Sequence, residues 1–210
     1  MKNNRKINKN QNKEHSMTKV IEEKYPNGKI KERSEWKNNV PDGIHEMFYE
    51  NGQIKFRKNY KNGKREGRVE VWHENGQLAK RSAFKNDKQN GLVEAWDNNG
   101  NLIVRGNHKN GLKDGVFEMF SNGKLIMLEN YKNDKQTGVE EMYYTNGQLR
   151  ERSNWNDGKQ DGLDEEYHPN GRIMYRVNYK NGLKDGAEEW FYDNGKLMNS
   201  FNYKNGVRID

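Results

Sequence analysis

Asn-Gly pairs open turns at 27–28, 51–52, 75–76, 99–100, 122–123, 146–147, 170–171 and 194–195, at steps of 24, 24, 24, 23, 24, 24 and 24 residues. A second glycine keeps the same clock: Gly43, Gly67, Gly91, Gly115, Gly138, Gly162 and Gly186. Self-similarity at one fixed period marks a repeat architecture, in which each unit buries its apolar surface only against its neighbours. Asn-Gly between alternating residues is the strongest short-range hairpin signal, since a type I′ turn needs positive φ at both central positions. Each repeat therefore reads as strand, Asn-Gly turn, strand, and a looser glycine-containing turn such as KNGKREG or KNGLKDG. Two strands per repeat give about sixteen short strands. Connections this short leave no room for helical crossovers, so the sheet is an antiparallel meander.

Composition enters because it would otherwise argue against any fold. Leu, Ile, Val and Phe make up only about 17% of the 210 residues and 33% are charged, a balance typical of disorder. Aromatics at 11%, placed at fixed spacing, carry the structure instead. There is no cysteine, which removes disulfides, thiol nucleophiles and cysteine-based zinc sites. No apolar run approaches a membrane span, and the N-terminus lacks the apolar core of a secretory signal, so the expected location is cytoplasmic.

In a two-residue hairpin the paired positions share a constant sum. That arithmetic pairs Glu22 with Arg33, Glu46 with Arg57, Glu70 with Arg81, Glu94 with Arg105, Glu141 with Arg152 and Glu165 with Arg176. Glu189 meets Ser200, and the copy one residue short sets Glu118 opposite Met127, where a local irregularity is expected. Opposed charges contribute about 0.2–1 kcal/mol each on a sheet. An aromatic stands five residues after every repeat glycine (for example Phe48, Trp72, Tyr143), and Ile or Leu two residues after every Asn-Gly (for example Ile54, Leu78, Leu149). Strand alternation puts the Glu, the Arg and the aromatic on one face, and the Ile/Leu column on the other. Mixed faces of this kind fit a single-layer all-β sheet, elongated and built from about eight 24-residue hairpins.

The pattern G-x-x-E-x-aromatic, then N-G-[KQ]-[LI], then aromatic-K-N-G-x-x-x-G resembles the MORN repeat, and more closely its divergent bacterial and viral variant, over about residues 20–210. The resemblance implies an elongated antiparallel sheet that acts as a scaffold or protein-binding surface. Some members are membrane-associated adaptors, and some bacterial variants of this length are antitoxins that neutralise a partner.

Nothing in the chain spells an enzyme. The glutamates that could pass for paired catalytic carboxylates recur in every copy with an Arg opposite, which reads as structural pairing. The five histidines form no metal-ligand spacing, the Asn/Asp turns lack calcium-loop spacing, and no phosphate loop occurs. No catalytic residue, cofactor, metal or small-molecule substrate is expected. The partner expected is a protein, and the column just before the Asn-Gly turn, Tyr25, Tyr49, His73, Tyr144, His168 and Tyr192, is the candidate binding surface. Met119, Met127, Met142, Met174 and Met198 are further candidates for adaptable contact. Residues 1–19 form a basic tail, where six basic residues against Glu14 give +5, leaving +2 for residues 20–210 out of the total of +7. The tail suits attachment to an anionic membrane surface. The near-neutral array argues against nucleic acid, which calls for a clustered basic face.

Overall fold

The computed structural model describes residues 17–210. Among these residues there is no helix, and one open antiparallel sheet takes in all the strands. Sixteen strands of six residues or more are joined by four two-residue pieces, and each strand pairs with the next along the chain. The first strand, Thr18–Lys24, pairs with Ile30–Lys37 and takes Thr18 and Lys19 into the sheet. The array thus begins two residues earlier than expected, and residues 1–16 of the basic tail lie outside the described residues.

The two kinds of turn exchange roles relative to the sequence reading. The supposedly looser turn is the tight one: Lys61 pairs with Lys64, and Asn62 and Gly63 hold φ of 50° and 78°, both positive as a type I′ turn requires. The same geometry recurs where no glycine is present, at Asn38-Asn39, Asn86-Asp87 and Asn133-Asp134. At the Asn-Gly turns, Gly52 N donates to Tyr49 O at 2.8 Å and Tyr49 N to Gln53 O at 2.7 Å. Gly52 sits at φ 94° while Asn51 stays out of the left-handed region. This is a three-residue loop closed by a glycine bulge.

A three-residue loop alone would shift the register by one. The predicted register nevertheless holds, because a bulge next to the turn shifts it back: Phe48 pairs with Ile54 and Met47 with Phe56, leaving Lys55 without a partner. Glu46 then faces Arg57 as expected, and the other five Glu–Arg pairs and Glu189–Ser200 also stand in register. The bulge has a second consequence. Directly paired side chains share a face, and Ile54 pairs with Phe48, Leu78 with Trp72 and Leu149 with Tyr143. The Ile/Leu column therefore lies on the face of the aromatics, not on the opposite one.

The short copy separates the two effects. Asn122 and Gly123 both have positive φ, and Ser121 pairs directly with Lys124, so this Asn-Gly is a true two-residue turn. The adjacent bulge remains, now uncompensated. Glu118 faces Leu128 rather than Met127, and Met127 lies between Met119 and Met142. Backbone pairing runs through this copy without interruption, so its irregularity is confined to the turn and the side chains.

Candidate interaction surfaces

The two faces of the sheet are chemically distinct. On one, the Glu–Arg column is more continuous than hairpin arithmetic shows, because each Arg also stands opposite the Glu of the next repeat: Arg33 opposite Glu46, Arg57 opposite Glu70, Arg81 opposite Glu94, Arg105 opposite Glu118, Arg152 opposite Glu165 and Arg176 opposite Glu189. The close contacts vary along this ladder. Arg33 lies 2.9 Å from Glu22, Arg57 2.8 Å from Glu46, Arg152 2.7 Å from Glu141, and Arg105 3.5 Å from Glu94 and 3.7 Å from Glu118. Arg81 reaches Glu70 at 3.4 Å and Glu94 at 3.6 Å, while Arg176 pairs with Glu189 and leaves Glu165 to accept from the Tyr167 hydroxyl at 2.8 Å. Leu128 is the one break, between Glu118 and Glu141. Arg guanidinium groups also lie over the aromatic column, Arg57 at 5.9 Å from Trp72 and Arg81 at 5.6 Å from Trp96.

Beside this ladder runs an apolar stripe. The residue after the repeat glycine shares the face of the ladder Glu two positions on, and it is Ile44, Leu92, Val116, Val139 and Leu163 in five copies, each 36–42% exposed. Each is paired across to an asparagine: Asn59, Asn107, Asn130, Asn154 and Asn178.

The Asn-Gly edge carries the residues expected to bind. Five of the six direct their polar tip to the next repeat: the Tyr25 hydroxyl donates to Phe48 O at 2.7 Å and Tyr49 to Trp72 O at 2.8 Å, and Tyr144 donates to Tyr167 O at 2.7 Å, while His73 Nε2 lies 3.0 Å from Trp96 O. His168 Nε2 repeats this contact at 3.0 Å from Phe191 O. Tyr192, 49% exposed, makes no such contact among the described residues. These side chains clamp each repeat to the following one, at a net value of about 0.5–1.5 kcal/mol per hydrogen bond. They are an inter-repeat seam in place of a free contact surface. Asp97 replaces the clamp in the fourth copy and instead accepts from the backbone of Asn99 and Asn101 within its own turn.

The opposite face is a groove that the sequence reading did not single out. Its floor is the column through Ser34, Val69, Ser82, Val93, Phe117, Glu140, Ser153, Asp164, Val177 and Glu188, all buried. Rings line one side, with Trp36 Nε1 donating to Ser34 Oγ at 2.9 Å and Trp155 Nε1 to Ser153 Oγ at 2.8 Å. Phe117 fills the middle, edge-on to His108 and Tyr131 at 5.4 Å from each. Room for it comes from Gly106 across the pair, where a Cβ would stand 2.3 Å from its ring.

In the C-terminal half the floor turns acidic. Glu140 accepts from Gln136 at 2.9 Å and Ser153 at 3.2 Å, and Glu188 accepts from the Tyr175 hydroxyl at 2.8 Å and pairs with Lys184. Asp164 accepts from Gln160 at 3.1 Å through Oδ2, but its buried Oδ1 has no partner. Burial, together with Glu166 and Glu140 nearby, pushes the Asp164 carboxyl up to about 6. Glu151 and Glu166 stand directly opposite each other, and the Glu151 carboxyl is raised by burial and by Asp164, Glu166 and Glu140, with Arg150 offsetting only part. No group of three potential metal ligands occurs among the described residues. The varying column is the second residue after the repeat glycine, and that variation in chemistry is the signal by which it could have been found.

No curated protein matches the chain. A family model described as the MORN repeat variant matches seven times, at residues 18–38, 41–62, 65–86, 89–110, 136–157, 160–181 and 184–205. The matches pass over the copy in which the ladder arginine is missing and the turn is short. With well over half of its length matched, the chain belongs to the MORN repeat family in its variant form.

Proposed function

We propose that this protein is a non-enzymatic scaffold that binds another protein on its repeat sheet. MORN repeats commonly mediate interaction with proteins or membranes. The observation that carries the protein reading is the exposed stripe of Ile44, Leu92, Val116, Val139 and Leu163 beside the ladder. Residues in one column recur two strands apart, or about 10 Å. Leu92, Val116, Val139 and Leu163 follow one another at that pitch, with Ile44 set apart by Arg68, and apolar side chains so spaced, flanked by paired charges and asparagine amides, have the make-up of an interface: apolar contact within a polar rim. The stripe lies on a rigid hydrogen-bonded sheet, so little ordering entropy is lost on binding. The place of action proposed is the cytoplasm, and neutralising the bound partner, as an antitoxin does, is one use of such binding. Attachment to a membrane surface would rest on the basic N-terminal segment, most of which lies outside the described residues.

The test is affinity capture from the host's extract with the full chain and with a variant carrying Leu92→Lys, Val139→Lys and Leu163→Lys. A stoichiometric protein retained by the parent and lost by the variant, with both chains melting alike, is the expected result. Recovery of no protein at stoichiometric yield by the parent chain would remove the reading.

A further inference from the structure

The charges of the grooved face are unevenly spread. Glu23 and Glu32 lie on its first two strands, each with a basic partner, Lys31 and His45; Lys58, Arg65, Lys80 and Lys113 follow, then Glu129; the C-terminal half carries Glu140, Glu151, Asp164, Glu166 and Glu188 against Lys184 and Arg208. Of Lys58, Arg65, Lys80 and Lys113, three are held against the sheet, and Lys80 is exposed. Lys58 lies over the Phe56 ring at 4.1 Å, Lys113 over Tyr131 at 4.2 Å and Phe117 at 4.8 Å, and Arg65 is held by Asp87 at 3.0 Å. The acidic half is differently placed. Like charges directly opposite on a sheet are destabilising, and Glu151 and Glu166 are so placed. A buried carboxylate oxygen without a partner costs the full desolvation of that atom, and Asp164 Oδ1 is such an atom in a side chain only 9% exposed. The molecule itself supplies these three carboxylates with no salt-bridged lysine or arginine among the described residues, whereas Glu188 has Lys184.

We propose that the acidic half of the groove, across the strands Gly138–Tyr143, Leu149–Asn156, Gly162–Tyr167, Ile173–Lys180 and Leu183–Phe191, binds an extended segment of a partner protein bearing lysine or arginine side chains. The inference rests on the reading of the chain as a protein-binding scaffold, but places this contact on the face opposite the apolar stripe. Five neighbouring strands span about 19 Å at roughly 4.8 Å each, the length of about six extended residues. Asp164 is recessed, so the group that reaches it must be a long, slender cation. The same face of a second copy, with Lys58 and Lys113 folded onto aromatic rings, offers isolated exposed lysines such as Lys80, and not a run of them. Anionic lipid and nucleic acid carry the wrong sign. Trp155 and Trp190, on the same face as the acids, offer ring surface for the aliphatic stems and cation–π contact for the heads. The Trp190 ring is backed by the buried Tyr175 ring, 4.2 Å away and tilted by 45°.

The test is a titration of the full chain with a synthetic eight-residue peptide alternating lysine and threonine. The controls are the same peptide with glutamate for lysine, and spermine. The protein variants are Glu151→Gln/Asp164→Asn/Glu166→Gln together, Glu166→Gln alone should the triple variant lose its fold, and Lys58→Gln/Lys80→Gln in the basic half. Expected are binding of the lysine peptide by the parent, a loss of affinity of at least about tenfold in the acidic variants, no loss in the basic-half variant, and no binding of the glutamate peptide. Equal binding by the triple variant, tighter binding of spermine than of the peptide, self-association in place of peptide binding, or no binding at all would each overturn the proposal. In the capture experiment, a host protein lost by the stripe variant but kept by the triple variant would overturn the groove site while leaving the scaffold reading intact.

Discussion

Between Val40 and His108 the floor of the groove carries His45, Lys58, Val69, Ser82, Val93 and Gly106; between Gly138 and Tyr203 the same column carries Glu140, Ser153, Asp164, Val177, Glu188 and Phe201. The two stretches otherwise agree closely. They share turn types, the bulge beside each Asn-Gly turn, the ladder of Glu and Arg, and the ring or imidazole that reaches the next repeat's carbonyl. The columns common to both halves are those whose side chains touch the neighbouring repeat, since a one-layer array has no other source of stability. The column that differs is free to differ because its stability cost is local. Between the halves the shared devices lapse in two neighbouring copies: Asp97 gives no clamp in the fourth, and in the fifth Leu128 breaks the ladder, the turn is one residue shorter, and Phe117 over Gly106 replaces the Val-and-Ser floor.

The comparison can be broken most severely at that junction. Gly106→Val places side-chain atoms inside the Phe117 ring and is expected to destabilise the chain by about 3 kcal/mol, read from urea unfolding. Restoring the pair found elsewhere, Gly106→Ser with Phe117→Val, should recover most of the loss. If the double variant is no better than the sum of the singles, size exchange does not explain the junction.

Asp164→Asn sharpens the difference between the halves. The folded-state carboxyl titrates at about 6 against an ordinary 3.8. Its raised value means that it favours the folded state when protonated and that this contribution is lost as pH rises through about 6. The variant should therefore gain about 2 kcal/mol at pH 8 and nothing near pH 3. Thermal melts across that range check it, and a loss of stability at pH 8 would contradict the orphaned-carboxylate account.

Tyr49→Phe and Tyr144→Phe each remove one clamp, in different halves, and should each cost about 1 kcal/mol, whereas Tyr192→Phe should cost nothing measurable. Unequal losses from the first two would show that the halves are held together differently. The smallest effect is expected from Leu128→Arg, which completes the ladder between Glu118 and Glu141. A gain of about 0.5 kcal/mol at low ionic strength, fading in high salt, is the outcome that supports a charge ladder.

The period, the hairpins and six Glu–Arg pairs were legible in the sequence, but the register came out right through two opposite displacements of one residue, the extra loop residue at 50–52 and the bulge at Lys55. Residue type at Asn51-Gly52 does not show whether Asn takes positive φ; hydrogen bonds from the flanking Tyr49 decide it. The short copy, having only one of the two displacements, is where the arithmetic failed and Glu118 met Leu128. The clamps were illegible because the acceptor is a main-chain carbonyl 23 residues along, which no side-chain pattern marks. The groove was illegible for the opposite reason: attention to columns that repeat passes over the one that does not.

The most direct measurement of the central claim, that the column in which the two halves differ gives the C-terminal half a recognition site of its own, is hydrogen exchange read by mass spectrometry on the full chain with and without the lysine peptide. Added protection confined to residues 138–191, with the equivalent strands of residues 40–96 unchanged, is the predicted result. Protection spread evenly over both halves, or concentrated in the N-terminal one, would contradict it.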